Sequence, residues 1–235
     1  MKVKLNLLEK IHCYHRLIRY CVRTEPDTAS FINEFVSEGD VCLDIGAHKG
    51  VVTHMMRRRV GNAGKIIAFE PQEELFEWLE VMVPSLRLNN VELEQIALSE
   101  ESGPRTLHRV GAMKSGSFVE EAGDYSDSVT VQTTTMDEYA KSKDIDTISF
   151  IKIDVDGFEL QVLKGAKETL QAFRPVLLIE ISDSDLADVS EFLTGMGYGS
   201  PEFEHRGKRY LGSHTYEVAH RHDIAPFRNF LFQPV

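Results

Sequence analysis

Cysteine is scarce in this chain of 235 residues, and long apolar stretches are missing from it. Its three cysteines, Cys13, Cys21 and Cys42, are an odd number without a C-x-x-C pair, which argues against a disulfide framework or a zinc site. No stretch is long and apolar enough to span a bilayer, and charged residues within 1–22 break up any signal-peptide core. We therefore expect a protein of the reducing cytoplasm without a transmembrane segment.

Basic residues are the minority charge. The 26 lysines and arginines face 37 aspartates and glutamates, which gives a formal net charge of −11. Such a charge repels polyanions unless a local basic patch overrides it, so nucleic acid is a disfavoured substrate. Apolar residues at 42% and charged residues at 27% are typical of a globular protein. Because no internal repeat is present, the length favours a single domain.

Helix-like and strand-like segments alternate along the chain. Helical spacing of apolar residues predicts a helical extension over 1–38, packed on the rest of the protein. Beyond it, short apolar runs predict buried strands at 41–45, 66–70, 91–98, 148–154, 176–181 and 229–232. Helical faces follow at 51–56, 75–83 and 158–170.

The alternation predicts an α/β protein with a doubly wound, mostly parallel sheet and helices on both faces. One segment, 99–139, breaks the pattern with turns and alternating residues, and it predicts hairpins or a strand that crosses the site. Ligands of a doubly wound sheet bind beyond the carboxyl ends of its strands, so the residues that close each strand are the candidate site.

Acidic residues close four of the predicted strands. These strand ends read Asp44-Ile45-Gly46, Glu70-Pro71, Asp154-Val155-Asp156-Gly157 and Glu180. After the first strand, the loop Gly46-Ala47-His48-Lys49-Gly50 leads into a helix. A glycine-containing loop of this kind presents backbone N–H groups to an anion or to a strongly polar group.

The same loop departs from the dinucleotide fingerprint. In G-x-G-x-x-G the middle glycine lets the backbone close on a pyrophosphate, but His48 occupies that position and crowds a diphosphate. S-adenosylmethionine has no phosphate, and its carboxylate can lie near this loop. Glu70, at the end of the second strand, is placed to accept hydrogen bonds from both ribose hydroxyls. The pattern therefore favours S-adenosylmethionine over a dinucleotide.

Several motifs, taken in order, resemble the FkbM-type methyltransferases. They are Leu43-Asp44-Ile45-Gly46-Ala47-His48-Lys49-Gly50, Ala68-Phe69-Glu70-Pro71, Ala97-Leu98-Ser99 and Phe150-Ile151-Lys152-Ile153-Asp154-Val155-Asp156-Gly157. The resemblance implies a seven-stranded, Rossmann-like methyltransferase domain over 39–235 and S-adenosylmethionine as donor. It also implies a hydroxyl acceptor on a sugar, a lipid-linked glycan or a polyketide. Two positions depart from the family, which usually has Asn at His48 and Glu-Gly-Ala at Asp156-Gly157-Phe158.

The resemblance further implies roles for single residues. The expected donor-binding residues are Asp44, Gly46, Ala47, His48 and Gly50 at the methionine end, Glu70 and Pro71 at the ribose, and Gln95, Ile96 and Ala97 at the adenine. Asp154 would face both donor and acceptor, which makes it the first candidate for catalysis. A hydroxyl acceptor also benefits from a base, and the further candidates are Asp156, Glu180, His48 and His54.

Two other functions fit parts of this pattern. In a metal-dependent nucleotide-sugar glycosyltransferase, Asp154-x-Asp156 would hold a cation that neutralises a leaving diphosphate. A non-catalytic module would keep the fold without the reaction. Acidic pairs at strand ends are more often hydrogen-bonded to loop backbone than bound to metal, so no metal ligand is assigned.

The acceptor is expected to be a small molecule or a glycan. Segments 109–127 and 198–227 are predicted to shape its pocket, although no spacing within them names a ligand. A homodimer remains open. Taken alone, Asp44 could merely cap its loop, and Glu70 could be an acid favoured at a helix start.

Overall fold

The computed structural model describes residues 4–109, 116–118, 127–205, 208–212 and 227–235. Its helices are α1 (Leu7–Arg19), α2 (Pro26–Phe35), α3 (Val51–Val60), α4 (Glu73–Ser85), α5 (Met136–Ser142), α6 (Glu159–Lys164), α7 (Lys167–Phe173) and α8 (Leu186–Gly195). A π-helical turn, Tyr20–Thr24, joins α1 to α2. Its strands are β1 (Val41–Ile45), β2 (Lys65–Phe69), β3 (Val91–Glu94), β4 (Ala97–Leu98), β5 (Gly103–Arg109), β6 (Gly116–Ser117), β7 (Asp127–Thr134), β8 (Phe150–Ile153), β9 (Val176–Ser182), β10 (Glu202–His205), β11 (Lys208–Leu211) and β12 (Phe227–Phe232).

A central sheet runs through the middle of the fold. Within the described residues it has eight strands in the order β11-β10-β12-β9-β8-β1-β2-β3. The five strands from β9 to β3 are parallel, whereas β12 and β10 pair antiparallel with their neighbours. From β1 the chain builds outward through β2 and β3, and it later returns on the other side of β1 with β8. The carboxyl ends of β1 and β8 therefore form the switch point where doubly wound folds bind ligands.

The predicted doubly wound α/β fold is confirmed, with one strand more than the seven expected. In the described part of the chain the eighth strand is β11, which forms an antiparallel hairpin with β10 at the edge of the sheet. Three of its four residues are exposed. An edge strand needs no continuous apolar run, so the pattern that marks buried parallel strands could not reveal it.

A smaller sheet is built from the segment that was expected to form hairpins. Its described strands lie in the order β4-β7-β5-β6, and β5 pairs antiparallel with β7 along its whole length. The consecutive strands β5 and β6 also pair antiparallel, as the predicted hairpins require. The prediction of one strand over 91–98 is wrong, because β3 ends at Glu94 and β4 begins at Ala97. Gln95 and Ile96 carry the chain from the central sheet to the smaller one.

The predicted helix over 158–170 is also divided. The chain bends at Gly165, where an added Cβ would lie 2.0 Å from the carbonyl oxygen of Ser99. The carboxylate of Asp137 then accepts hydrogen bonds from the backbone N–H groups of Glu168 and Thr169, at 3.1 and 2.8 Å. Contacts from distant segments therefore begin a new helix, α7, where the local periodicity predicted a continuous one.

Helices cover both faces of the central sheet. On one face Leu163 of α6 packs in the same buried cluster as Ile153. On the other, Phe31 of α2 and Met56 of α3 are buried with Phe150. Because β1 and β8 are covered on both sides, their ends are held by the most buried part of the protein. No helix among the described residues has the length and apolar character needed to cross a bilayer.

The first helix begins with a capping box. The side chain of Asn6 accepts from the backbone N–H of Glu9 at 3.0 Å, and the carboxylate of Glu9 accepts from the backbone N–H of Asn6 at 2.7 Å. Leu17 is buried with residues of α2 and α3, whereas Leu8 and Ile18 are exposed.

Candidate active site

The turn after β1 is anchored from within by Asp44. This carboxyl is 1% exposed, and its Oδ2 accepts a hydrogen bond of 2.5 Å from Oγ1 of Thr53 in α3. Burial raises the pKa of Asp44 to about 6, against the opposing effects of Thr53 and Lys152. The side chain therefore ties the turn to α3.

Gly46 brings the ends of β1 and β8 into direct contact. Its φ of +84° is in the left-handed region, and an added Cβ would lie 1.9 Å from the carbonyl oxygen of Asp154. No side chain fits there. The two strand ends thus meet through backbone, which leaves the space beyond them for a ligand.

Glu70 closes the second strand of the site. It is 3% exposed, and its two carboxylate oxygens accept hydrogen bonds of 2.9 Å from the backbone N–H groups of His48 and Gln72. Burial raises the pKa of Glu70 to about 7, although both backbone bonds act in the opposite direction. Each oxygen keeps a second lone pair, so Glu70 can still accept from a bound hydroxyl.

One cleft opens beyond these strand ends toward the smaller sheet, and we call it the apolar cleft. Its empty space, about 680 Å³, is continuous with solvent. Its walls include Phe69, Glu70, Pro71, Gln72, Ile96, Ala97, Leu98, Leu107, Phe118 and Val155. Sequence reasoning missed Leu107, which belongs to a segment without a helix or buried-strand pattern. Phe118 lies in the segment 109–127, which was predicted to shape the acceptor pocket, and it lines this cleft.

A second cleft opens on the side of α1 and the π-helical turn, and we call it the charged cleft. It holds about 1120 Å³ of empty space. Its charged residues are Arg16, Arg19, Glu25, Asp44, Lys49, Lys152, Asp154, Asp156 and Glu180. Gly46, His48, Asp154 and Asp156 line both clefts, so the two spaces share one wall.

A buried lysine lies among the carboxylates of the charged cleft. Lys152 is 1% exposed, and its Nζ lies 3.5 Å from Oδ2 of Asp154. Although burial lowers it, the pKa of Lys152 is raised overall by Asp154, Glu180 and Glu25. Lys152 therefore stays protonated and offsets part of the negative charge around it. No sequence pattern indicated this role, because Lys152 stands inside an apolar strand.

Glu180 shares a hydrogen bond with Asp154. Burial, with the charge of Asp154 next, raises the pKa of Glu180 to about 9. Glu180 therefore keeps its proton at neutral pH and donates it to Asp154, which stays an acceptor. The side chain of Asp154 is 32% exposed at the shared wall, where it can reach a ligand in either cleft.

The loop after β8 is held by a residue that the sequence analysis missed. Oε1 of Glu159 accepts from the backbone N–H groups of Val155 and Gly157, at 3.3 and 3.1 Å. Ser117 of the smaller sheet donates to the carbonyl oxygen of Asp156 at 2.7 Å. These bonds fix the loop that presents Asp154 and Asp156 to the clefts.

Several candidates lie away from the shared wall. The side chain of Gln95 is exposed and does not line the apolar cleft, and Gly50 caps α3, where an added Cβ would meet Met82. His54 packs edge-on against Tyr14, and burial with Arg58 and Arg57 lowers its pKa to about 4. Much of the expected acceptor region, 110–115, 119–126, 206–207 and 213–226, lies outside the described residues.

Within the described residues, no three His, Cys, Asp or Glu side chains form a group that could hold a metal ion. A family model described as the methyltransferase FkbM domain matches residues 44–200. The chain belongs to the FkbM methyltransferase family. The match contains every strand end of the shared wall, and it confirms the predicted S-adenosylmethionine-dependent methyltransferase at the level of the family.

Known proteins resemble this chain to different extents. It is 28% identical over 174 residues to hexuronic acid methyltransferase AglP of Haloferax volcanii. The aligned region covers 74% of this chain and 69% of AglP. The crystal structure of methyltransferase FkbM from Methylobacillus flagellatus KT superposes with a TM-score of 0.56 at 14% identity, over 97% of this chain and 59% of that one. The present chain thus spans about three fifths of the M. flagellatus protein.

A further fold neighbour is SMU.1697c from Streptococcus mutans, solved in complex with SAH. Its TM-score is 0.53 at 11% identity, over 88% of this chain and 96% of that one. At such identity the likeness shows the fold alone. This chain's own residues fit the donor: Gly46 lets the ends of β1 and β8 meet through backbone at the cleft, Glu70 can accept further hydrogen bonds, and Ile96 and Phe118 offer apolar walls.

Proposed function

We propose that this chain transfers the methyl group of S-adenosylmethionine to a hydroxyl oxygen of a uronic acid or of a glycan that contains one. The observation that supports this most is the shared wall. A donor in the apolar cleft and an acceptor in the charged cleft would both contact Asp154. Most acceleration of such a transfer can come from holding the two reactants in line at near-attack distance.

The donor would be held mainly by backbone and by one carboxylate. Glu70 would accept from the ribose hydroxyls, and Ile96, Ala97 and Phe118 would border the adenine. Gly46, Ala47 and His48, with Asp44 beneath them, would surround the methionine end. Pro71 would close the cleft behind Glu70. The exposed side chain of Gln95 leaves only its backbone for this role, and Gly50 would act by shaping the turn.

The acceptor would be selected by charge. Arg16 and Arg19 lie on the rim of the charged cleft, and Lys49 lines it too. These cations line the same cleft as the carboxylates and suit a substrate with a carboxylate of its own, because guanidinium groups bind carboxylates in a bidentate manner. The relationship to AglP, named a hexuronic acid methyltransferase, supports the same class of acceptor.

Asp154 would act as the base. When bound, S-adenosylmethionine supplies an electrophilic methyl carbon on a sulfonium that leaves as a neutral thioether. The acceptor hydroxyl would pass its proton to Asp154 as its oxygen forms the new O–C bond. Glu180 would hold Asp154 in place through their hydrogen bond, and the Lys152 ammonium, 3.5 Å from Asp154, would pair with its carboxylate. Asp156 would orient the acceptor from the same loop.

The experiment that tests this function measures methyl transfer to a glucuronic acid glycoside and to the matching glucose glycoside. We expect transfer to the uronic acid and little to the neutral sugar. Alkaline treatment separates a methyl ether, which survives it, from a methyl ester, which does not. Binding of S-adenosylmethionine without transfer to any sugar would instead support a non-catalytic module. Metal-dependent binding of a nucleotide sugar alone would support a glycosyltransferase.

The domain organisation belongs to the proposal as well. Residues 1–38 would be a helical extension on a methyltransferase domain over 39–235, with Arg16, Arg19 and Glu25 of the extension completing the acceptor site. Exclusion of nucleic acid, a place in the cytoplasm and the choice between monomer and homodimer stay predictions from the sequence.

A further inference from the structure

The outer surface of α1 carries a stripe of large apolar side chains, here called the α1 stripe. Its members are Leu7, Leu8, Ile11, Tyr14, Ile18 and, in the π-helical turn, Val22. Leu7 is 74% exposed and Ile18 is 61% exposed, although apolar residues at helical spacing ordinarily face a core. Elsewhere in the described residues the only large apolar side chains exposed to this degree are Leu211 and Val235. Five on one short helix and a sixth in the turn that follows it exceed ordinary scatter.

The core of this chain does not need the α1 stripe. The opposite side of the helix is already packed, since Leu17 is buried with residues of α2 and α3. Beside the stripe, Ile18 and Val22 border a groove whose walls include Ile32 and Met55. The exposed Arg58 stands on the rim of that groove. The apolar surface therefore extends from α1 toward α3 and is edged by cations.

The charge of this end of the chain is opposite to that of the rest. Residues 1–23 contain six lysines and arginines and one acidic residue, whereas the remaining residues contain 20 basic and 36 acidic ones. Lys10, Arg19 and Arg23 belong to α1 or its continuation, and the two arginines are exposed. A protein of net charge −11 thus presents a basic, apolar helix, which matches an anionic surface with an apolar interior.

The length of α1 decides how it would meet such a surface. Its 13 residues span about 20 Å, which is too short for the roughly 30 Å hydrocarbon core of a bilayer. An amphipathic helix of this kind lies in the plane of the interface, with its apolar side chains in the acyl region and its cations among the headgroups.

We infer that the α1 stripe docks this protein on a membrane surface that contains anionic lipids. The same helix contributes Arg16 and Arg19 to the charged cleft. Docking would therefore bring the mouth of that cleft to the lipid headgroups and would suit an acceptor presented at the membrane. This last step rests on the proposed function, whereas the docking itself does not.

The test is sedimentation with vesicles of phosphatidylcholine alone or mixed with phosphatidylglycerol. We expect the wild-type chain to bind the mixed vesicles at least about tenfold more tightly, and added salt to weaken that binding. The variant Leu7→Gln/Ile18→Gln should lose at least about tenfold in affinity for the mixed vesicles, because two side chains no longer enter the acyl region. Glutamine has a helix propensity close to that of leucine, so α1 should persist.

The matched control is Val235→Gln, which removes an exposed apolar side chain beside Gly199, far from α1. It should bind vesicles like the wild type. Calorimetric binding of S-adenosylmethionine, unchanged in both variants, would show that they are folded and separates this inference from the proposed function. Equal binding to both vesicle types, or none, overturns the inference. So does a wild-type dimer that the double variant converts to a monomer without vesicle binding, since the stripe would then contact a second copy.

Discussion

The apolar cleft and the charged cleft share a wall, yet they are built from different materials. The apolar cleft uses strand ends, the backbone contact between Gly46 and Asp154, and one buried carboxylate, Glu70. The charged cleft uses ionisable side chains from α1, the π-helical turn, β8 and β9. The first depends on shape and fixed backbone, the second on charge and protonation. Substitutions in the apolar cleft should therefore change the dissociation constant of the donor, whereas substitutions in the charged cleft should change KM for the acceptor.

The largest effect is expected at the shared wall. Asp154→Asn removes the proposed base while it keeps the shape of the side chain, so kcat should fall by about 10²- to 10⁴-fold. The dissociation constant of S-adenosylmethionine, measured by calorimetry, should stay near its wild-type value. Asp146→Asn, at an exposed loop position, is the control. A variant with wild-type kcat would remove Asp154 from the catalytic role.

A smaller effect, confined to the apolar cleft, is expected at Glu70. Glu70→Ala should weaken binding of S-adenosylmethionine by about 10- to 100-fold, because hydrogen bonds to a buried carboxylate are lost. With saturating donor, KM for the acceptor should not change. Glu73→Ala, exposed in the first turn of α4, controls for the loss of a nearby charge. If KM for the acceptor rose instead, the two clefts would not be separate.

The charged cleft should respond to the arginines on its rim. Arg16→Gln/Arg19→Gln should raise KM for a uronic acid acceptor by about tenfold and should leave donor binding unchanged. The effect on KM is no larger because both side chains are exposed and solvent screens their charges. The exposed Arg87→Gln, beyond the end of α4, provides the control. The specific sign is the loss of preference for the uronic acid over the neutral sugar. Equal losses for both sugars would argue against recognition of the carboxylate.

The smallest effect concerns protonation. Glu180 ordinarily titrates near 4.5 but near about 9 in the fold, so between these values the folded protein holds a proton that the unfolded chain releases. Stability should then fall as pH rises through this window. Glu180→Gln lacks this titration. Its free energy of unfolding should therefore increase by about 1–2 kcal/mol relative to that of the wild type as the pH rises from the acid to the alkaline end of the window. Urea unfolding at several pH values measures it, and parallel curves would contradict the raised pKa.

The sequence predicted the apolar cleft better than the charged one. Gly46 and Glu70 follow apolar strands directly, and parallel strands bring their carboxyl ends to one edge, so their proximity follows from the fold. Arg16, Arg19 and Glu25 precede the first strand and reach the site only because a π-helical turn redirects the chain between α1 and α2. No local pattern specifies that direction.

Two errors had the same physical origin. The strand predicted over 91–98 and the helix predicted over 158–170 were both extended through a real break, because local apolar periodicity continues across it. In the structure the break in the helix is held from outside, because Gly165 rests on the backbone of Ser99, just after β4. The role of Lys152 could not be predicted for a related reason. Its charge is balanced partly by carboxylates of other elements, and the local sequence does not show that they lie nearby.

The backbone contact between Gly46 and Asp154 has a consequence for how the protein can change over generations. Main-chain atoms at this contact join the walls of the two clefts, so side chains of the charged cleft could be exchanged without moving the backbone that borders the apolar cleft. Under the proposed function, substitutions in the charged cleft would change the preference for the acceptor over evolution. The backbone contact between Gly46 and Asp154 would meanwhile keep the distance between donor and acceptor the same.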